Sequence, residues 1–144
     1  NVIAISSGIY DGMKMGLNAR AALICRGIAE MTRLGIALGG QLETFIGMSG
    51  IGDLILTSTS DLSRNYALGQ NLDRGLPLEK CMPSGGAVAE GVQNAASKNA
   101  LAECHKIEMP ICKAVYRIIF KGTSCVGAMQ DRDSPDQEIS ISYA

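Results

Sequence analysis

The stretch LNARAALICRGIAEMTRLGIAL, residues 17–38, has the clearest helical periodicity in the chain. Its apolar side chains recur every three or four residues, which is the spacing of one helix face. The residues of this face are Leu17, Ala21, Ile24, Ile28, Met31, Gly35 and Leu38. Arg26, Glu30 and Arg33 lie on the opposite, polar face. Because further apolar residues widen the face, we expect a helix at the centre of a bundle, ended by the glycines at 39–40.

Shorter helices are predicted around this one, separated by glycine and proline turns. Helices are expected over residues 42–48 and 53–57, and from a cap at Ser60 or Asp61 to Asp73. A brief helix would start at Pro77, and a longer one would cover residues 88–106 after an SGG turn at 84–86. Pro110 would open a further helix that Gly122 stops, and Ser124 would cap a last turn or two. The run NVIAI, residues 1–5, fits either a strand or a buried helix. The sequence shows no series of strands, so we predict an all-α bundle over residues 1–130, with a loose tail at 131–144.

Composition excludes several classes of function. The net charge of -1 and the absence of a block of Lys or Arg indicate no nucleic-acid partner. The chain has no run of 18 apolar residues, so we expect no membrane insertion. Five scattered cysteines, an odd number without a C-x-x-C pair, and a single His, His105, indicate reduced cytoplasmic thiols and no metal site. The chain begins at Asn1 inside an apolar run, so we interpret it as a fragment or a processed piece.

The segment GIGDLILTSTSDLSRN, residues 50–65, combines glycines and polar groups in a way that a packed core does not need. Asp53 fits a helix N-cap after a glycine turn, or a carboxylate that accepts hydrogen bonds from a polyol or a lysine. Ser63, Arg64 and Asn65 are predicted in the first turn of the next helix. Free N–H groups and the helix dipole favour an anion there, and the guanidinium of Arg64 suits phosphate.

Other motifs carry less chemistry. SGGAVAEG, residues 84–91, follows no strand and does not match the G-x-G-x-x-G spacing of a dinucleotide loop. Glu90, near the start of the following helix, fits a partner for the helix dipole. His105 adjoins Cys104, and no base with an orienting partner accompanies them, so nucleophilic catalysis is not predicted.

Five segments in order resemble the C-terminal domain of bacterial glycerol-3-phosphate dehydrogenases: NVIAISSGIYDGMKMGLNARAAL, RGIAEMTRLG, GIGDLILTSTSDLSRN, AEGVQ and IEMPI. The resemblance covers roughly residues 1–125. It implies an all-helical domain like that of the 6-phosphogluconate dehydrogenase-like superfamily. It also implies a homodimeric enzyme that interconverts dihydroxyacetone phosphate and sn-glycerol 3-phosphate with NAD or NADP, feeding glycerophospholipid synthesis.

The same resemblance implies roles for individual residues. Asp53, Ser63, Arg64 and Asn65 match substrate-binding positions, and Asn1 and Thr57 match further substrate contacts. Arg64, Val88 and Glu90 match cofactor-binding positions. The catalytic lysine would immediately precede Asn1, and a Rossmann domain would hold most of the dinucleotide, so we expect this chain to be inactive alone. Two alternatives remain open: the helical domain of a related hydroxyacid or ketoacid reductase, and a free-standing helical interaction or dimerisation module.

Overall fold

The computed structural model of the chain describes residues 1–82 and 90–132. These residues form α-helices and one π-helix, without a strand among them, which confirms the predicted all-α fold. The helices are α1 Val2–Gly12, α2 Leu17–Ala37, α3 Leu42–Ile46, the π-helix Met48–Gly52, α4 Asp53–Thr59, α5 Arg64–Asp73, α6 Leu78–Cys81, α7 Glu90–His105, α8 Pro110–Lys121 and α9 Cys125–Arg132. Within the same residues, no helix is both long enough and apolar enough to cross a bilayer.

The first helix, α1, is the centre of the bundle. All nine residues from Val2 to Tyr10 are buried, and α1 contacts α2, α4, α5, α7 and α8. The run NVIAI is therefore a buried helix, which is typical of a segment that is apolar on every side. The prediction that residues 17–38 form the central helix was wrong, because that position belongs to α1.

The second helix, α2, has nearly the predicted bounds but a different buried face. Its buried residues are Leu23, Ile24, Gly27, Glu30 and Leu34. Leu17 and Leu38, at the two ends of the predicted face, are 74% and 51% exposed. Gly27 explains the change, because a Cβ there would lie 2.8 Å from Cγ2 of Ile3. The missing side chain lets α1 pack on this side of α2.

Glu30 is a buried residue, although the sequence placed it on the polar face of α2. Only 1% of it is exposed. Its carboxylate accepts hydrogen bonds from the main-chain N–H groups of Ile111 at 2.7 Å and Cys112 at 3.2 Å. These groups belong to the first turn of α8, which Pro110 opens and which the helix itself leaves without acceptors. Glu30 thus caps α8 from a neighbouring helix.

Helices α1 and α5 touch backbone to backbone. A Cβ on Gly8 would overlap the main-chain oxygen of Tyr66, and a Cβ on Gly69 would overlap that of Ile5. The contact continues to Gly12, where a Cβ would lie 2.8 Å from Oδ2 of Asp73. Because Gly12 and Asp73 are the last residues of α1 and α5, this contact brings the C-terminal ends of the two helices together. Their N-terminal ends therefore lie at the other end of the bundle, on the same side.

The remaining helix boundaries test the other predictions. Helix α8 begins at Pro110 and ends before Gly122, whose φ of 67° is the left-handed conformation that glycine favours at a helix C-terminus. Ser124 accepts a hydrogen bond from the N–H of Gly127 at 3.1 Å, as predicted for a cap of α9. Helix α3 ends at Ile46, two residues earlier than expected. The predicted turn at 84–86, the start of the helix predicted over 88–106, and the tail from residue 133 lie outside the described residues.

Candidate functional site

The N-terminal ends of α1, α5 and α7 meet, and three of the predicted site residues lie there. Nδ2 of Asn1 donates a hydrogen bond to Oε2 of Glu90 at 3.1 Å. The main-chain N–H of Gly91 donates to Oδ1 of Asn65, also at 3.1 Å. Asn1 and Asn65 are far apart in the sequence, and the first turn of α7 joins them. We take this meeting point as the candidate functional site.

Gly91 fixes the direction of the Asn65 side chain. A Cβ at position 91 would lie 2.5 Å from Oδ1 of Asn65 and 2.6 Å from Cδ1 of Ile5, so only glycine allows α7 to approach this closely. With Oδ1 accepting from Gly91, the amide presents the two N–H groups of Nδ2 to an external acceptor. Asn65 is therefore a donor toward any ligand at this point, which suits an oxyanion.

Ser63 is the N-cap of α5, since its Oγ accepts from the N–H of Tyr66 at 3.3 Å. The prediction that Ser60 or Asp61 caps this helix was wrong, because α5 starts at Arg64. The N–H groups of Arg64 and Asn65 occupy the first two helical positions, which have no acceptor within the helix. An anion is favoured there, beside the exposed Arg64 side chain.

Arg20 and Asp11, which the sequence did not single out, hold the Tyr66 and Gln70 side chains of α5. Nη1 of Arg20 donates to the hydroxyl of Tyr66 at 2.7 Å and lies 3.4 Å from Oδ1 of Asp11. Nε2 of Gln70 donates to Oδ2 of the same Asp11 at 2.8 Å. Burial raises the pKa of Tyr66 above its ordinary value, with Arg20 opposing the shift. Tyr66 is therefore a neutral anchor two residues after Arg64, in the same first turn of α5.

Asp53 lies at a junction of two helices. The π-helix runs directly into α4, with Gly52 at the N-cap position and Asp53 as the first residue of α4. The prediction that Asp53 is the N-cap was wrong, and its carboxylate is exposed. Glycine is required at position 50, because a Cβ there would overlap the main-chain oxygen of Phe45. π-Helical turns occur often at functional sites.

Thr57, one turn further along α4, uses its hydroxyl within its own helix. Oγ1 of Thr57 donates to the main-chain oxygen of Asp53 at 2.9 Å, with that of Leu54 at 3.3 Å. The oxygen can still accept a hydrogen bond from a ligand. The side chain of Thr57 thus supports the first turn of α4, where Asp53 is exposed.

Charged groups surround the main-chain nitrogen of Asn1. This nitrogen is mostly buried, and the positive charge of Lys98 lies near it. The carboxylates of Asp53 and Glu90 lie near it as well. Asp53 therefore belongs to the same neighbourhood as Asn1 and Glu90. Lys98, in the middle of α7, is a member of this neighbourhood that the sequence did not reveal.

The predicted site residues thus divide into three groups. Asn1, Asp53, Asn65 and Glu90 lie together, and Arg64 adjoins Asn65. Ser63 and Thr57 make hydrogen bonds within their own helices. Val88 lies outside the described residues. Among residues 1–82 and 90–132, no cluster of three or more His, Cys, Asp or Glu side chains could hold a metal ion.

Fold and site together define an all-helical domain whose candidate site is built from three helix N-termini. The sequence matches the family described as "NAD-dependent glycerol-3-phosphate dehydrogenase C-terminus" over residues 1–130. The chain belongs to this family of C-terminal domains.

Curated relatives carry matching names. The glycerol-3-phosphate dehydrogenase [NAD(P)+] of Cupriavidus pinatubonensis is 55% identical over 140 residues, covering 95% of this chain and 40% of the relative. The enzyme of the same name from Paucimonas lemoignei is 54% identical over 145 residues, covering 99% of this chain and 43% of the relative. The chain thus spans about two fifths of the length of these relatives.

Solved structures agree with the fold. The crystal structure of glycerol-3-phosphate dehydrogenase from Coxiella burnetii superposes with a TM-score of 0.86 at 43% identity, over 90% of this chain and 40% of that one. The structure of GPD1, the glycerol-3-phosphate dehydrogenase of Saccharomyces cerevisiae, gives a TM-score of 0.80 at 25% identity, over 92% of this chain and 39% of that one.

Proposed function

We propose that residues 1–130 are the substrate-binding domain of an NAD(P)-dependent glycerol-3-phosphate dehydrogenase. The enzyme would interconvert dihydroxyacetone phosphate and sn-glycerol 3-phosphate in the cytoplasm, as a homodimer, with residues 131–144 as a tail outside the domain. The observation that carries the proposal is the hydrogen bond from Gly91 to Asn65. It presents an amide donor beside the exposed guanidinium of Arg64 and the first N–H groups of α5, an arrangement that suits a phosphate.

The roles of the side chains follow from their chemistry. The guanidinium of Arg64 binds two phosphate oxygens, and Nδ2 of Asn65 donates to the same group. The hydroxyl of Ser63 can still donate, because its Oγ accepts from Tyr66. Asp53 accepts hydrogen bonds from substrate hydroxyls. Asn1 and Thr57 complete the pocket on the α1 and α4 sides.

The dinucleotide is assigned mainly to the part of the enzyme outside this chain. When bound, NAD or NADP would supply or take up the hydride at the central carbon of the substrate, and a lysine directly before Asn1 would exchange the proton of the substrate oxygen. From this chain, Arg64, Val88 and Glu90 contribute to the cofactor site. The cationic Arg64 suits a dinucleotide phosphate. The Glu90 carboxylate, which already accepts from Asn1, suits a hydroxyl or amide donor.

A chimera tests this function. The chain is joined to the N-terminal portion of the Cupriavidus pinatubonensis relative, and oxidation of NADH and NADPH is followed with dihydroxyacetone phosphate. We expect activity with this substrate and none with 2-ketoacids. Activity with 2-ketoacids alone would identify a related reductase instead. A folded chimera that oxidises neither cofactor would favour a helical interaction module.

The Arg64→Ala variant of the chimera tests the phosphate contact. We expect a higher KM for dihydroxyacetone phosphate and a kcat/KM lowered roughly thirtyfold or more. This corresponds to a loss of about 2 kcal/mol of transition-state stabilisation, which is in the range of charge-assisted contacts. Arg64→Lys should recover only part of the loss, because lysine lacks the planar fork.

Arg74→Ala is the matched control, since Arg74 lies just past the opposite end of α5. Its kinetics should equal those of the unchanged chimera. An unchanged KM in Arg64→Ala would show that Arg64 is not a phosphate ligand. If the chimeras fail to fold, chemical shifts of the Arg64 and Asn65 amides in the 144-residue chain are compared between glycerol 3-phosphate and glycerol.

A further inference from the structure

A second concave surface lies between α7, α8 and α9, away from the residues of the candidate site. It is an open cleft of about 400 Å³. Its lining includes Asn99 and Ala102 of α7, Pro110 and Ala114 of α8, and Ala128 of α9. None of the predicted substrate-binding or cofactor-binding residues that the structure describes is among the lining residues. The volume falls in the range of small-molecule sites, roughly 300–1,000 Å³.

The floor of this cleft is apolar and made of short side chains. Ala102, Ala114 and Ala128 form its buried base, since they are at most 7% exposed. The apolar surface that a ligand can reach belongs to Ile107 and Pro110, which are half-buried. One alanine comes from each of the three helices, so the side chains leave a hollow between the helices. Water in contact with such a floor has few polar partners, and an alkyl group that replaces it gains about 25 cal/mol for each Å² removed from water.

Among the residues that the structure describes, the rim of the cleft carries more positive than negative charge. Lys106, Lys113 and Arg117 are the cations, and Glu103 and Glu108 are the anions. Lys113 and Arg117 are one helical turn apart on α8, so their side chains point to the same side of the helix. Lys106 comes from the turn after α7, where its φ of 53° is left-handed.

The hydrogen bonds found at the rim are accepted by the two glutamates and do not involve the lysines. Nδ2 of Asn99 donates to Oε1 of Glu103 at 3.3 Å, and Nη2 of Arg33 donates to the main-chain oxygen of Glu108 at 2.8 Å. Across the described residues, neither Lys106 nor Lys113 forms an ion pair with Glu103 or Glu108. The two ammonium groups are thus available to an external anion.

We propose that the cleft between α7, α8 and α9 binds a small amphiphile, an alkyl chain with an anionic carboxylate or phosphate head group. The head group lies at Lys106 and Lys113, and the alkyl chain covers Ile107 and Pro110 above the buried alanines. Charge complementarity at the rim selects the anion, and the floor requires an apolar portion. A bare phosphate ion gains only the rim contacts, and a neutral alcohol gains only the floor.

Octyl phosphate titrated into the 144-residue chain tests the proposal, with amide chemical shifts as the measurement. Inorganic phosphate and 1-octanol are titrated separately as the head-group and chain controls. We expect octyl phosphate to shift amides of α7, α8 and α9 and to bind more tightly than either control. Equal affinity for inorganic phosphate, or shifts confined to the Arg64 region, would overturn the proposal.

Exposed residues on the rim provide variants that leave the fold intact. Lys113→Glu should weaken octyl phosphate binding about fivefold, as expected for reversal of one exposed charge. Glu108→Gln, which removes an anion from the rim, should strengthen it. Lys121→Glu reverses another exposed lysine of α8, outside the cleft, and should bind as the unchanged chain does.

Two further outcomes would contradict the proposal. Equal affinity in the Lys113→Glu and Lys121→Glu variants would show that binding does not involve the rim. Shifts of the same α7–α9 amides on raising the protein concentration, without ligand, would show that a second copy of the chain occupies the cleft instead.

Discussion

Ser6 and Ser7 are neighbours on α1 and both are fully buried, but the two hydroxyls differ in their hydrogen bonds. Oγ of Ser7 donates to the main-chain oxygen of Ser58 at 2.6 Å. Oγ of Ser6 has no partner among the described residues. A buried hydroxyl without a partner costs free energy, whereas a satisfied one contributes modestly. Because the two serines are equally buried and adjacent on the same helix, comparing them measures how much one hydrogen bond contributes to the free energy of unfolding.

We predict opposite effects of alanine at these two positions. Ser6→Ala should raise the free energy of unfolding by about 1 kcal/mol, because it removes an unpaired polar group. Ser7→Ala should lower it by about 1 kcal/mol, because it removes the bond to Ser58. Urea denaturation of both variants measures the difference, and helix propensity cancels between them. Equal effects in the two variants would contradict the assignment.

Glu30 makes the stability of the chain depend on pH. Burial raises the pKa of its carboxyl, and the N–H groups of Ile111 and Cys112 offset only part of that effect. The folded state therefore binds the Glu30 proton more tightly than the unfolded state does. Its contribution to stability is fully present below the ordinary Glu pKa and is lost as pH rises through the raised, folded-state pKa.

The Glu30→Gln variant isolates this contribution, because glutamine does not titrate. We expect the free energy of unfolding of the unchanged chain, minus that of the variant, to fall as pH rises from below the ordinary Glu pKa toward neutrality. Urea denaturation of both proteins over this pH range measures it, and the other carboxyl groups cancel in the subtraction. A difference that grows with pH would show that the hydrogen bonds to α8 outweigh burial.

At the scale of elements, the crossing of α1 and α5 controls the geometry of the site. We predict that Gly69→Ala lowers the free energy of unfolding by about 1–3 kcal/mol, because the added methyl group overlaps the main chain of α1. This loss should occur although alanine favours a helix by about 1 kcal/mol over glycine. Urea denaturation is the measurement.

Gly52→Ala is the control for this prediction. Gly52 also has helical backbone angles, and a Cβ there would meet only the end of the Met48 side chain, at 3.4 Å. Its stability should stay unchanged or rise by up to about 1 kcal/mol. If Gly69→Ala were as stable as Gly52→Ala, the two helices could separate without cost, and the crossing would not hold the start of α5.

The sequence predicted the positions of the helices better than it predicted which of their faces are buried. Pro110, Gly122 and Ser124 mark their helix ends by local backbone chemistry, so these boundaries were confirmed. The buried face of α2 could not be found in this way, because it depends on Gly27 and on the partner helix. The start of α5 was missed because Ser60, Asp61 and Ser63 are all suitable caps, and the tertiary contacts of Tyr66 select among them.

At the scale of the whole molecule, the family was recognisable from motifs, but the connections within the site were not. The substrate and cofactor roles of Asn1, Asn65 and Glu90 were inferred from the resemblance, and they stay predictions. Asn1 bonds directly to Glu90, whereas the hydrogen bond to Asn65 comes from the main chain of Gly91, a residue without a side chain. Lys98 and the buried cap Glu30 were missed because each acts on a helix distant in sequence.

The backbone contact between Gly8 and α5 also limits how the chain can change in length. Seven residue steps separate Asn1 from Gly8, and one inserted residue would rotate Asn1 by about 100° around α1 and shift it by about 1.5 Å. The amide of Asn1 would then point away from Glu90. An insertion or deletion in this segment would therefore disconnect α1 from the other two helix ends.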